Sequence, residues 1–351
     1  MGMTVTEKIL AAHSGNSTVK PGDLVMAKVD FCLANDITAP ISIKSLEEMK
    51  VAEPWDKDRI ALIPSHFAPN KDIASANQAK KMRDYARAHE ITHYYEQGET
   101  GIEHSLLPEK GLILPGMILI GADSHTCTGG AFGCFASGVG STDLAGVMMG
   151  GEIWLKVPET MRFHFTGKLR PGVQAKDLIL YVIGKIGVEG ALYRAMEFTG
   201  PVVQGLSMEG RLTLTNMVVE AGGKNGVVEA DQVTYDYLAS RTRERGVEYH
   251  GDPDARYHSV MEIDVTDMEP QIAFPYSPDN VHPISQIKPE KVDQVFIGSC
   301  TNGRFEDLAI VADILQRTGR EFHPDVRVMI IPGSQAVYLD ALRQGWIELF
   351  T

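Results

Sequence analysis

Met117-Ile118-Leu119-Ile120-Gly121-Ala122-Asp123-Ser124-His125-Thr126-Cys127-Thr128-Gly129-Gly130 passes from an unbroken apolar run directly into chemically able side chains. An apolar run that short, with no polar residue between its members, reads as a strand buried on both faces, the habit of parallel sheets. The glycines beside the polar block let backbone approach a ligand closely. Strand followed by polar turn recurs to either side. Arg59-Ile60-Ala61-Leu62-Ile63-Pro64 reads as a strand leading into Ser65-His66, and Val25 to Phe31 leads into Asn35-Asp36-Ile37-Thr38. Asn70 to His89 and Thr142 to Leu155 carry helical spacing. The alternation implies an α/β fold of three-layer α/β/α domains with parallel or mixed sheets, in which ligands bind at the carboxyl ends of strands.

Three units are expected. Residues 1–160 form a first α/β domain with His66, His104 and the Asp123-Ser124-His125-Thr126 block. Residues 161–280 form a second, with a strand at Arg162 to Gly167, a helix at Asp177 to Ile186 and Glu197. Residues 281–351 form an incomplete third, holding Cys300. Arg241 to Tyr257 reads as a solvated linker or hairpin, and Pro275 to Pro289 as an interdomain connection. At the amino end, Thr4 and Glu7 have the spacing of a capping box opening a helix from Glu7 to His13, stopped at Gly15.

At 44% hydrophobic and 23% charged residues, the 351-residue chain has the balance of a soluble globular protein. Its net charge of −13 argues against nucleic acid or an anionic membrane as partner, because both demand a basic face. Four cysteines without Cys-x-x-Cys spacing form no disulfide framework, so a reducing, cytoplasmic setting is expected. The longest apolar run, Gly111 to Ala122, falls short of the roughly 20 residues of a membrane span.

Gly298-Ser299-Cys300-Thr301-Asn302-Gly303-Arg304 follows the β-prone Val292 to Ile297 and precedes the helical pattern from Phe305. A thiol on such a strand-to-helix turn is expected to favour thiolate, as nucleophile or metal ligand. Cys127 and Cys134 are expected to be buried and inert. His66, His104 and His125 all stand at element ends, with a Glu and an Asp in such junction blocks able to orient them, which points to proton transfer at a small polar substrate.

The Asp123-Ser124-His125-Thr126 block, the Gly298 to Arg304 block, and Ser207-Met208-Glu209-Gly210-Arg211 followed by Asn216-Met217 together resemble the aconitase superfamily, in its branch of separate large subunits. The likeness runs the length of the chain. It implies a hydro-lyase that isomerises a 2-hydroxy dicarboxylate by dehydration and rehydration, 2-isopropylmalate to 3-isopropylmalate in leucine biosynthesis foremost, with homoaconitase or 2,3-dimethylmalate chemistry as alternatives. In the family three cysteines hold a four-iron four-sulfur (4Fe-4S) cluster; Cys300 matches the first, and the Cys-x-x-Cys of the others has no counterpart before Thr351. The resemblance thus implies a fragment truncated before that motif, without its cluster and inactive alone.

By the same resemblance, His66 protonates the leaving hydroxyl, while Asp123 with His104 and His125 with Glu197 form two carboxylate–imidazole pairs. Asn35 and Asp36 meet a substrate carboxylate; Ser124 and Asn302 line the same cleft. The carbon acid's base is a serine on a small, swivelling-domain subunit, a separate polypeptide. Ser65 stands where the family has Asp before His66, so that imidazole needs another acidic partner, Asp36 or Asp72 in space. Two readings of other classes stand beside this one: a thiol enzyme with Cys300 as nucleophile, and a cluster-free binding module.

Overall fold

The computed structural model describes residues 2–351. Its first sheet has five strands, all parallel, in the spatial order His93–Tyr94, Ile60–Ile63, Phe31–Asn35, Ile118–Gly121, Phe135–Gly138. Ile60–Ile63 and Ile118–Gly121 are buried at every position because both faces are covered. Cys32, Ala34, Leu62 and Ile120 pack against residues of the helices Val5–Ser14, Ala39–Glu48 and Ser141–Gly150. Phe31, Leu33, Ala61 and Ile63 pack on the other side against Leu106, Leu107, Phe132 and Leu212.

The strand order decides where a ligand can sit. From Phe31–Asn35 the chain moves outward through Ile60–Ile63 to His93–Tyr94, then returns to lay Ile118–Gly121 on the opposite flank. The reversal opens a crevice between the carboxyl ends of Phe31–Asn35 and Ile118–Gly121. Asn35 and Asp123 stand at its two rims.

A second, four-stranded parallel sheet runs Asn225–Val227, Ala195–Thr199, Thr160–Thr166, Ser259–Asp264. Its core stacks Phe163 on Phe198 at 5.8 Å between ring centres, beneath Leu178, Ile179 and Val182 of the helix Ala175–Ile186. The third unit is small: Gln294–Ile297 pairs in parallel with Arg327–Ile330, and Leu308, Val337 and Ala341 make a minor core. Hydrogen bonds tie it to the first unit, including Ile102 N–H to the Gly333 carbonyl at 2.7 Å.

One expectation is corrected. The helix expected over Thr142 to Leu155 stops at Gly150, because Gly151 adopts φ +70° and the following Glu152–Lys156 alternates exposed and buried residues as a strand antiparallel to Leu24–Lys28. Arg241 to Tyr257 is a solvated, irregular segment as expected, tethered where Val247 N–H bonds to the Pro115 carbonyl at 2.9 Å and Tyr249 packs on the first core. The amino-terminal box forms as expected, with Thr4 N–H donating to Glu7 Oε2 at 2.7 Å and Gly15 in the left-handed conformation.

Candidate active site

Polar turns at neighbouring strand ends converge because the strands are parallel and in register, so their carboxyl ends share one edge of the sheet. Ser65 and His66 follow Ile60–Ile63, Asn35 ends the next strand, and Asp123 follows Ile118–Gly121. Glu103 and His104 arrive from the first turn of the helix Glu103–Glu109. His104 Nε2 lies 2.8 Å from Asp123 Oδ1, and His66 Nε2 lies 3.6 Å from Asp123 Oδ2. Asp123 therefore sits between two imidazoles. Burial opposes its ionisation, but the His104 hydrogen bond and charge outweigh this and hold the carboxyl well below its usual range.

Glu103 is the member of this array that sequence reasoning passed over. It is fully buried, and burial pushes its carboxyl upward; the His104 charge opposes that rise and the Asp123 charge adds to it. Asn35 Nδ2 donates to Glu103 Oε1 at 3.0 Å and to Asp123 Oδ2 at 3.3 Å, bridging the two acids. Ser65 Oγ donates to Glu103 Oε2 and lies 3.0 Å from His66 Nδ1. The acidic partners of His66 are thus Asp123 at Nε2 and, through Ser65, Glu103 at Nδ1, and neither Asp36 nor Asp72. Asp36 receives the backbone N–H groups of Ser65, His66 and Phe67 at 3.2, 2.9 and 2.7 Å, so it holds the loop that carries His66. Asp72 caps the helix Ile73–Ala88 through Ser75 N–H at 2.7 Å.

His125 also differs from expectation. Its Nε2 lies 3.4 Å from Glu220 Oε1, while its backbone N–H donates to Asp123 Oδ1 at 2.8 Å. The Glu220 hydrogen bond, against burial and aided by the Asp123 charge, raises the His125 imidazole above its ordinary value. Glu197 is not its partner: that residue accepts from Tyr257 Oη at 2.8 Å on the second sheet and faces a separate cavity. Sequence did not separate Glu197 from Glu220, since each sits beside apolar residues in a short element, Ala195–Thr199 and Met217–Ala221.

The Cys300 loop closes the other side. Thr301 Oγ donates to Asn216 Oδ1 at 2.6 Å, and the buried Arg304 guanidinium donates to the carbonyls of Thr301 and Cys300 at 2.6 and 2.9 Å, fixing the turn from beneath. The helix that follows begins only at Phe305, so no free helix end reaches the thiol. Burial raises the Cys300 thiol, opposed by hydrogen bonds from Asn216 and Thr301 and by the Arg304 charge, so the expected preference for thiolate is not met. Asn302 Nδ2 bonds to Asp307 Oδ1 at 2.8 Å, and its buried Oδ1 lacks a partner. Ser124 is exposed, with Oγ 3.1 Å from His125 Nδ1.

A cavity of about 800 Å³ is walled by the first turns of three helices and reaches Asn302 and Glu220 but not the paired imidazoles. A second, about 560 Å³, opens on Asp123 and Ser124. The carboxylate–imidazole array, not cavity size, marks the site, because there two imidazoles and two buried or half-buried carboxylates converge at the carboxyl ends of parallel strands. His66, Glu103 and Asp123 also offer atoms within 4.8 Å of one another, a spacing open to a small cation. For an iron–sulfur cluster the donors differ: Cys32, Cys127 and Cys134 are buried and only Cys300 is partly open, so among the described residues a single thiol is placed to bind. One thiolate does not hold a four-iron cluster, and the residues present do not by themselves fit that group. No helix among the described residues is long and apolar enough to cross a membrane.

Comparison with known proteins matches residues 7–291 and 285–351 to the aconitase family (aconitate hydratase). The chain is 54% identical over 353 residues to the 3-isopropylmalate dehydratase large subunit of Aquifex aeolicus, covering all of this chain and 82% of that protein. It is 55% identical over 350 residues to the proteins of the same name from Halothermothrix orenii and Heliobacterium modesticaldum, covering all of this chain and 83% of each.

Proposed function

Because the chain belongs to the aconitase family, we propose that it is the catalytic large subunit of a hydro-lyase that interconverts 2-isopropylmalate and 3-isopropylmalate in leucine biosynthesis, working with a separate small subunit. The observation that carries this is the placing of His66, His104, Asp123 and Glu103 at a strand-order reversal, with the Cys300 loop within Coulombic reach of Asp123. Dehydration of a 2-hydroxy dicarboxylate removes a weakly acidic C–H proton and expels hydroxide, so it needs a base and a proton donor on opposite sides of the bond. His66 Nε2, exposed toward the crevice and beside Asp123 Oδ2, is suited to deliver that proton. Glu103, through Ser65, orients its other nitrogen. His104 keeps Asp123 ionised, and Glu220 with Asp123 favours the cationic form of His125, which can receive a carboxylate or stabilise a developing oxyanion.

The base belongs on the small subunit, and Cys300 is proposed as one of the three cluster ligands in a protein of the relatives' full length. The 351-residue chain by itself is expected to hold fewer than four irons and to be inactive. Reconstitution of the relatives' full length with iron, sulfide and the small subunit should give an unsaturated acid from 2-isopropylmalate, followed by ultraviolet absorbance. His66→Asn should lower kcat about 10²- to 10⁴-fold. An unchanged rate in that variant, or turnover of homocitrate in preference to 2-isopropylmalate, overturns the reading.

A further inference from the structure

The polar face of the second sheet looks onto a cavity of about 470 Å³ that none of the imidazole array lines. Thr160–Thr166 alternates, sending Met161, Phe163 and Phe165 into the core and Arg162 and His164 to the other side. Register places Glu197 beside Arg162 and Thr199 beside His164. Opposite charges on adjoining strands, about 4.8 Å apart, would ordinarily close an ion pair. Here they do not. Arg162 Nε donates instead to Thr199 Oγ at 3.2 Å, and its guanidinium lies 5.4 Å from the centre of the Tyr257 ring.

Glu197 is only 1% exposed, and with Oε1 taken by Tyr257 its Oε2 has no hydrogen-bond partner. The Val5 amide, at the start of a helix, is near enough to act on its charge but outside hydrogen-bond geometry. An unmet buried acceptor costs about 1–3 kcal/mol. Neighbouring acids are already answered: Glu229 is held by His250 Nδ1 at 3.0 Å and by Gly251 N–H at 2.9 Å, and Asp252 by Lys8 Nζ at 2.6 Å. Gly251 leaves the space open, for a Cβ there would stand 3.1 Å from Tyr257 Oη and 3.8 Å from a carboxylate oxygen of each glutamate.

We propose that this cavity binds a small zwitterion of the α-amino acid class, its ammonium donating to Glu197 Oε2 and its carboxylate received by Arg162 and His164. An ammonium and a carboxylate on one carbon match two opposite charges held on adjacent strands without touching. A simple amine would leave Arg162 uncovered, and a simple acid would leave Glu197 unmet. The site is independent of the reaction proposed for the crevice.

Titration calorimetry on the 351-residue chain with L-alanine, ethylamine and propionate separates these cases, the last two each keeping one of L-alanine's charges. L-Alanine should bind at millimolar concentration or below, with both analogues at least about tenfold weaker, a difference of about 1.4 kcal/mol. Glu197→Gln and Gly251→Ala should each weaken L-alanine about tenfold or more, with melting temperatures as a check on folding. The glycine substitution fills the cradle without removing a charge, so it remains informative if the buried glutamate variant folds poorly. No heat of binding at 10 mM L-alanine, on the order of the weakest useful affinity, overturns the proposal. So does ethylamine or propionate binding as tightly as L-alanine, or full affinity retained in Gly251→Ala.

Discussion

Ser65 stands between a buried acid and an exposed imidazole, and its hydroxyl links them by hydrogen bonds. A hydroxyl can donate to Glu103 while accepting from His66 Nδ1–H, which directs Nε2 toward the crevice. In the reconstituted enzyme Ser65→Ala should lower kcat about tenfold with KM little changed, because the imidazole loses its link to the acid. A purely structural serine would lower the melting temperature and leave kcat in place. His125 gives a second residue-scale prediction. Its pKa is raised in the fold, chiefly by Glu220, so the pair's stabilisation is full below the unfolded imidazole value of about 6.5 and is lost as pH rises through the folded value. Glu220→Gln should therefore lower the His125 pKa seen by NMR and cost less than about 1 kcal/mol at pH 6, with no cost at pH 9, the pair being partly exposed. An unmoved His125 titration would remove Glu220 from the site. None of these partnerships was legible from sequence. Glu103 adjoins His104 in the chain, yet nothing in that adjacency says that both turn inward.

Elements were more legible than partnerships, because their ends are written in local chemistry. Thr4 and Glu7 announce the first helix, and the structure forms both reciprocal hydrogen bonds. Thr4→Ala should destabilise the chain by about 1 kcal/mol in urea unfolding, the usual worth of such a cap; Thr4 also meets Thr160 at 3.2 Å, so a somewhat larger loss is expected than from an isolated helix. The buried strands were readable from their apolar runs alone. The segment after Ser141–Gly150 was not, because Ile153 and Leu155 fit a continued helical stripe as well as a strand's alternate positions. Two glycines and a partner strand at Leu24–Lys28 decided it.

At the scale of the molecule, units meet through backbone. The 3₁₀ helix Ser124–Phe132 lies against the second sheet, where Val228 N–H donates to the Gly130 carbonyl at 3.0 Å. A Cβ on Gly130 would fall 1.6 Å from the Gly226 carbonyl oxygen, a contact with no flexible atom to yield. Gly130→Ala should therefore destabilise by several kcal/mol, on the order of 3 or more, and should separate the melting of the two sheets in calorimetry. If the variant melts as the parent does, the joint is looser than the packing indicates. The same joint matters to the site, since it carries Asp123 and His125 on one side and Glu220 on the other. Loss of close packing there should open the His125 pair before either sheet unfolds.

Composition, apolar runs and turn chemistry determined by themselves an α/β chain with polar groups at strand ends, and the ordered blocks around Asp123, Met208 and Cys300 determined the family. Those are local signals, carried by neighbours in the chain. Which carboxylate faces which imidazole was decided only by tertiary structure: Asp123 and Glu103 in place of Asp36 or Asp72 for His66, Glu220 in place of Glu197 for His125, and a raised Cys300 thiol where a thiolate was expected. Partners such as these lie up to 95 positions apart, and their charge state depends on burial that no stretch of sequence contains.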